Sequence, residues 1–102
     1  MQGGRIKMFI IKLIDKQYNS YGYIWKGCIH CMGKHGFFYG DNVFHTKEEA
    51  EQHIQTCLNS GWYRPDVTRD NFEIVEVNQH EGYGSAYYTD EYFEKFEKEE
   101  LK

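Results

Sequence analysis

The chain has 102 residues and a formal net charge of −4. That length suits one domain with a modest core, and an acidic balance excludes the broad basic footprint of a general nucleic-acid binder. The charge is uneven: residues 1–78 carry nine basic and nine acidic residues, whereas 79–102 carry seven acidic and three basic ones, so the whole excess sits in the C-terminal stretch. Phe, Trp and Tyr make up 18% of the chain, so the core is expected to be largely aromatic.

The apolar run Met8 to Ile11 stops at Lys12 and is too short for a signal segment or a membrane span. The expectation is a soluble, cytoplasmic protein without a membrane partner. In a reducing compartment its three cysteines are expected as thiols or metal ligands rather than a disulfide framework.

Residues 6–14 (IKMFIIKLI) read as a strand, with Phe9, Ile11 and Leu13 on one face and Ile10, Lys12 and Ile14 on the other. Because both faces are largely apolar, this strand is expected to be central. Asp15 to Ser20 is a turn by composition. Tyr21, Tyr23 and Trp25 alternate with Gly22, Ile24 and Lys26, giving a second strand over 20–27 and a hairpin with the first. Residues 28–36 (CIHCMGKHG) read as a tight loop, and 36–44 as a third strand interrupted by the turn signal Gly40-Asp41-Asn42.

Thr46-Lys47-Glu48-Glu49 fits a capping box. Ala50, His53, Ile54, Cys57 and Leu58 then recur at the spacing of one buried helical stripe. This predicts a helix over 46–59, stopped near Gly61. Residues 60–70 read as a loop pinned to the core by Trp62 and Tyr63. A fourth strand follows over 71–78, with Phe72 and Ile74 opposite Val75 and Val77. Residues 79–85 read as a linker, and 89–101 as an acidic amphipathic helix with Thr89 as N-cap. The expected division is one α+β domain over 1–79, a small antiparallel sheet packed by one helix, followed by a linker and helical tail over 80–102.

The motif that could carry chemistry is Cys28, Cys31, His53 and Cys57. C-x-x-C offers two thiolates from one turn, and H-x-x-x-C offers two ligands one helical turn apart, which suits tetrahedral zinc. The same residues admit a plainer reading: His53 and Cys57 lie on the apolar stripe, where a cysteine packs as a small hydrophobe. His30, His35 or His45 could stand in for His53. A redox C-x-x-C would need a helix N-terminus, and none is signalled here. A nucleophile pair of Cys31 with His30 or His35 lacks any sign of an oxyanion hole. The expectation is therefore no enzyme and no catalytic residue.

Phe44, Ala50, His53 and Cys57 also fit F-x5-(L/A)-x2-H-x3-C. This resembles the second half of a Cys-Cys-His-Cys zinc finger and implies a structural zinc over residues 28–57. Twelve residues separate Cys31 from Phe44, where such fingers have about three. Glu48, Glu49 and Glu51 on the helix oppose a phosphate-binding role. Phe44 to Glu51 (FHTKEEAE) and Phe72 to Val77 (FEIVEV), in their order, resemble small accessory proteins of bacteriophages and mobile elements, some of which inhibit host defence. That resemblance implies a protein-binding role in the host cytoplasm.

On this reading Tyr88, Tyr92, Phe93 and Phe96, with Glu94 and Glu97, dock on a protein partner or on the domain itself. Self-association is left open. The alternative is a nucleic-acid-binding zinc module stacking bases on Tyr23, Trp25, Phe37 and Tyr39. A variant of the first reading makes Glu91, Glu94, Glu97, Glu99 and Glu100 a mimic of nucleic-acid phosphates.

Overall fold

The structure, a computed structural model, describes residues 7–29, 32–33 and 36–97. Among the described residues six strands form one antiparallel sheet: β1 (Lys7–Asp15), β2 (Ser20–Ile24), β3 (Met32–Gly33), β4 (Phe37–Phe38), β5 (Phe72–Asn78) and β6 (Tyr87–Tyr88), in spatial order β3-β2-β1-β5-β6-β4. As its two apolar faces require, β1 is central, pairing with β2 on one side and with β5 from Lys7–Asn78 to Leu13–Phe72 on the other. The β1–β2 turn is set by Asp15, whose carboxylate accepts from the Gln17 and Tyr18 amides, and by Asn19 in the left-handed region at φ 52°. Asn tolerates that region better than most residues.

The sheet is strongly curled. Its two edge strands, β3 and β4, are separated in sequence only by residues 34–36, a span of roughly 14 Å at most, so the edges lie near each other. Tyr23 of β2 meets Phe38 of β4 edge to face across the curl, ring centroids 5.4 Å apart. After β4 a 3-10 turn (Gly40–Asn42) brings the chain back to β1, where Phe44 and Phe9 exchange backbone hydrogen bonds of 2.9 and 2.8 Å.

The curl divides the interior into two cores. Outside it, helix α1 (Lys47–Asn59) covers Ile11, Leu13, Ile24 and Phe72 with Ala50, Ile54 and Cys57. Inside it, Met8, Ile10, Tyr23, Phe38, Val43, Val77 and Tyr87 pack together. Strand alternation sorts the side chains: odd-numbered β1 residues go to the helix and even-numbered ones to the inside.

Helix α1 starts at Thr46, whose hydroxyl accepts from the Glu49 amide at 3.0 Å. The box differs from expectation in one bond: the Glu49 carboxylate reaches the amide of His45, at 2.9 Å, instead of that of Thr46. After Ser60, Gly61 takes φ 78°, a left-handed stop.

Four expectations change. The 36–44 strand is divided into β4, the 3-10 turn and the Phe44 bridge. Residues 28–36 contribute the short β3, and the expected linker and tail supply β6, which joins β5 to β4. Of the expected 89–101 helix, Asp90–Tyr92 form an α-helical turn (α2), followed by the π-helical stretch Phe93–Glu97. Residues 98–101 lie outside the described residues. Thr89 caps this turn, its hydroxyl accepting from the Tyr92 amide at 3.1 Å.

Candidate functional site

The segment after β2 carries Cys28, and its backbone is met by His53 and Cys57 of α1. Cys28 N donates to Trp25 O at 3.3 Å, and Gly27 between them takes φ 86°, a type II turn that favours glycine there. The turn presents the next two carbonyls to α1 and to the loop after it. His53 Nε2 lies 2.8 Å from Cys28 O. A carbonyl only accepts, so Nε2 carries the proton. The Ile29 carbonyl accepts from the Tyr63 hydroxyl, with Cys57 Sγ 4.0 Å away. The His53 ring rests on Phe44, centroids 5.4 Å apart.

The structure thus brings His53 and Cys57 to the C-x-x-C loop. Cys57 is fully buried and is a free thiol. Burial pushes its pKa up, against a smaller opposing effect of Tyr63. A thiol so placed stays neutral near pH 7 and is a poor nucleophile. The expectation of thiols holds for Cys57 but not for Cys28, which is disulfide-bonded. Cys31, His30 and His35 lie outside the described residues, and His45 is exposed beside Glu49. Among the described residues no group of three or more His, Cys, Asp or Glu side chains is arranged to hold a metal ion. Tyr63 has no place in the sequence-derived site. The clue available was only that it sits in an aromatic pair expected to pin its loop. It does so, edge to face on Phe72 at 6.0 Å, whereas Trp62 stands 59% exposed.

Of the expected partner-binding aromatics, Tyr88, Tyr92 and Phe93 face the domain. Tyr88 is buried in β6. Phe93 stacks on His80 at 3.7 Å and 7° and meets Tyr83 and Tyr88 edge to face. Tyr92 stacks on Tyr88 and touches Phe37. Glu94 is exposed. The side chains of Phe96 and Glu97 lie outside the described residues.

Other aromatics remain at the surface: Tyr18, Tyr39 and Trp62, each more than half exposed, with Tyr21 and Trp25 less so. Tyr18 lies on the β1–β2 turn and Trp62 on the loop after α1. Arg64 joins the β1–β2 turn to the 60–67 loop, its guanidinium forked onto Asp15 at 3.0 and 3.1 Å and packed over the Tyr18 ring at 5.3 Å. A cleft of about 340 Å³ beside β1 and β5 is lined by Lys12, Tyr23 and Val75, with Glu73, Glu76, Asp90 and Glu91 around them. The Lys12 ammonium lies 4.6 Å from the Tyr21 ring centroid. Burial, with the nearby Tyr21, Glu91 and Glu73, pushes the Tyr23 hydroxyl up to about 12, so it remains protonated at neutral pH.

No protein-family model matches the chain, and neither the curated proteins nor the solved structures compared with it give a match. Among the described residues no helix is long and apolar enough to cross a membrane.

Proposed function

We propose that this chain is a non-enzymatic binding module that grips a protein partner in the host cytoplasm, as the resemblance to phage accessory proteins implies, with inhibition of a host defence factor as the class of role. The observation that carries the reading is the pair Tyr18 and Trp62, 65% and 59% exposed on the turn and the loop that Arg64 joins. Rings of that size gain much by burial, and interfaces are enriched in them. Arg64 holds the Tyr18 turn and the Trp62 loop together, so the surface is ordered before it binds.

The partner's complementary charge is basic. Four carboxylates line the cleft together with Lys12, where a phosphate backbone would be repelled. That disfavours the nucleic-acid alternative. The helix expected over 89–101 adds an acidic face, with Glu91 and Glu94 exposed in its described part.

The reading includes a structural zinc on Cys28, Cys31, His53 and Cys57. Supporting it, His53 and Cys57 both reach the loop that carries Cys28. The fit is incomplete in the form described: the Cys28 sulfur is in a disulfide and His53 Nε2 is donating to a carbonyl. Zinc bound there would hold the loop to the helix and leave no open position for chemistry.

The test is affinity capture on the immobilised full chain, with Tyr18→Ala/Trp62→Ala beside it after circular dichroism shows the variant folded. The expected result is one or few proteins held by the wild type and lost from the variant. Equal capture by both would sink the aromatic surface as the binding face. Retention of single- or double-stranded oligonucleotides at low salt would favour the nucleic-acid reading. Dimers by sedimentation that dissociate in the variant would make the partner a second copy.

A further inference from the structure

We propose that the open edge of β5 takes up an extended, basic segment of a partner protein as an added strand, with its lysine or arginine side chains held by the acidic cleft alongside. This rests on the reading of the chain as a module for a basic protein and names how that protein is held. The β1–β5 register shows which way the edge points. Phe9 stands opposite Glu76 of β5, yet its backbone N–H and C=O both bond to Phe44, on the other side of β1. In an antiparallel ladder, opposed residues alternate between bonded and unbonded pairs. Phe9–Glu76 and Ile11–Ile74 are therefore unbonded pairs, and the N–H and C=O groups of Ile74 and Glu76 point away from β1.

β6 does not cover those groups. It pairs with β5 at Asn78 alone, because the chain leaves the edge at Thr89, whose amide donates to the Gly36 carbonyl and whose hydroxyl caps the α2 turn. At the other end of β5 the Phe72 carbonyl accepts from Arg69. Between these two points the outward groups of Ile74 and Glu76 have no backbone or side-chain partner among the described residues. Unpaired edge groups are a template for another strand. Domains that bind extended peptides use such an edge for main-chain bonds and adjoining pockets for side chains.

The charge beside the edge selects the occupant. The cleft of about 340 Å³ takes Glu73 and Glu76 from β5 and Asp90 and Glu91 from the α2 turn. All four are exposed, and the ion pairs among the described residues lie elsewhere, on Asp15, Glu49, Glu51 and Asp66. The cation that lines the cleft, Lys12, has its ammonium over the Tyr21 ring at 4.6 Å. The formal charge of the lining is 1 − 4 = −3. A second copy pairing along this edge would set like carboxylates against each other across the new strand pair, and a phosphate backbone meets the same repulsion. A lysine or arginine side chain meets carboxylates for its head, with Val75 and the buried Tyr23 for its methylene stem.

The test uses the full chain, isotope-labelled for NMR, and a seven-residue peptide of alternating lysine and valine with blocked ends. Amide hydrogen exchange is read residue by residue. In the free chain Ile74 and Glu76 should exchange fast, while Glu73, Val75 and Val77, bonded to β1, exchange slowly. With the peptide at saturation, Ile74 and Glu76 should become protected. A peptide with glutamate for lysine should not bind. Nor should the lysine peptide with every backbone nitrogen methylated, which keeps the charge and loses its donors. Glu73→Gln and Glu91→Gln, both at exposed positions, should each weaken binding about threefold, the ordinary worth of one exposed ion pair.

Protection of Ile74 and Glu76 in the free chain overturns the proposal, because the edge is then already paired; protection that rises with chain concentration makes the occupant a second copy. Binding that leaves those two amides exchanging fast, or equal binding of the methylated peptide, overturns strand addition. Equal binding of the glutamate peptide, or undiminished binding by both Glu73→Gln and Glu91→Gln, overturns the cleft as the side-chain site. No binding of the lysine peptide overturns the proposal and leaves the aromatic face to be decided by the Tyr18→Ala/Trp62→Ala capture. Peptide binding retained in that aromatic variant supports an edge site separate from the aromatic face.

Discussion

Gly36 shows how closely the C-terminal turn is seated on the sheet. A Cβ placed on it would lie 2.4 Å from Tyr92 Cβ and 2.8 Å from Thr89 Oγ1, and its carbonyl accepts from the Thr89 amide at 2.9 Å. The obstruction is the root of a side chain, so it cannot swing away. Gly36→Ala should cost about 1–3 kcal/mol, read as a lowered midpoint in thermal or urea unfolding. Gly40→Ala, where the new methyl meets nothing within 4 Å, should stay within about 0.5 kcal/mol. Equal effects would mean that the turn does not rest on Gly36.

The same scale gives an alkaline prediction. Cys57, Tyr23 and Tyr63 all have pKa values raised chiefly by burial, Tyr23 to about 12. For a group raised in the folded state, the unfolded chain releases its proton first. Its contribution is complete below the unfolded pKa and is lost as pH rises through the folded one. Stability should therefore decline from about pH 8.5, the ordinary thiol value, and faster beyond about pH 10, the ordinary phenol value. Urea midpoints across that range check this, and Cys57→Ala should remove the first part of the decline.

At the scale of elements, α1 is the part most fully legible in the sequence. Its cap and stripe are local: Thr46 and Glu49 are three residues apart, and Ala50, Ile54 and Cys57 recur on one face. β1 and β5 were legible for the same reason, since seven or more residues are enough for alternation to show. β3, β4 and β6 have two residues each, and two residues carry no period. Their pairing depends on where the curl brings them. The site divides in the same way. His53 and Cys57 could be placed together by helical spacing, but the Tyr63 bond to the Ile29 carbonyl spans 34 residues, and no local pattern encodes it.

The helix is also tied to the start of β5. Arg69 forks onto the Glu51 carboxylate at 2.6 and 2.7 Å and donates to the Phe72 carbonyl at 2.8 Å. Hydrogen bonding from Arg69 lowers the Glu51 pKa. A depressed carboxylate stabilises the fold above its unfolded pKa, and that stabilisation is lost as pH falls through the folded value. Both partners are about two-fifths exposed, so solvent screening keeps the gain below about 1 kcal/mol. Glu51→Gln should lower stability by that small amount at pH 7, and the difference from wild type should begin to shrink near the ordinary glutamate value, about pH 4, and vanish only once pH has fallen through the lower folded value. A difference undiminished in acid would show that the carboxylate charge is not what binds the helix to this turn.

Across the whole molecule, the closure of the sheet depends on the stretch that the sequence marks as a linker and tail. β6 is the only described strand linking β5 to β4. Its Tyr87 enters the inner core and its Tyr88 the aromatic cluster with Tyr92, Phe93 and Phe37. If 80–102 were an independent tail, a chain ending at Ser85 would keep its stability and lose only binding. The observed topology says otherwise. Such a chain loses the partner of β4, the buried Ala86, Tyr87 and Tyr88, and the rings resting on His80 and Phe37. Burying one large apolar side chain is worth about 1.5–3 kcal/mol, and a small domain's whole stability is about 5–15 kcal/mol. Losing two tyrosines and Phe93 together approaches that total. The 1–85 chain should therefore be largely unfolded at 25 °C, with collapsed amide dispersion in its NMR spectrum. Adding residues 86–97 back should restore cooperative unfolding. A 1–85 chain with a wild-type spectrum would falsify the closed-sheet account and return the C-terminal stretch to the role of a separate binding tail.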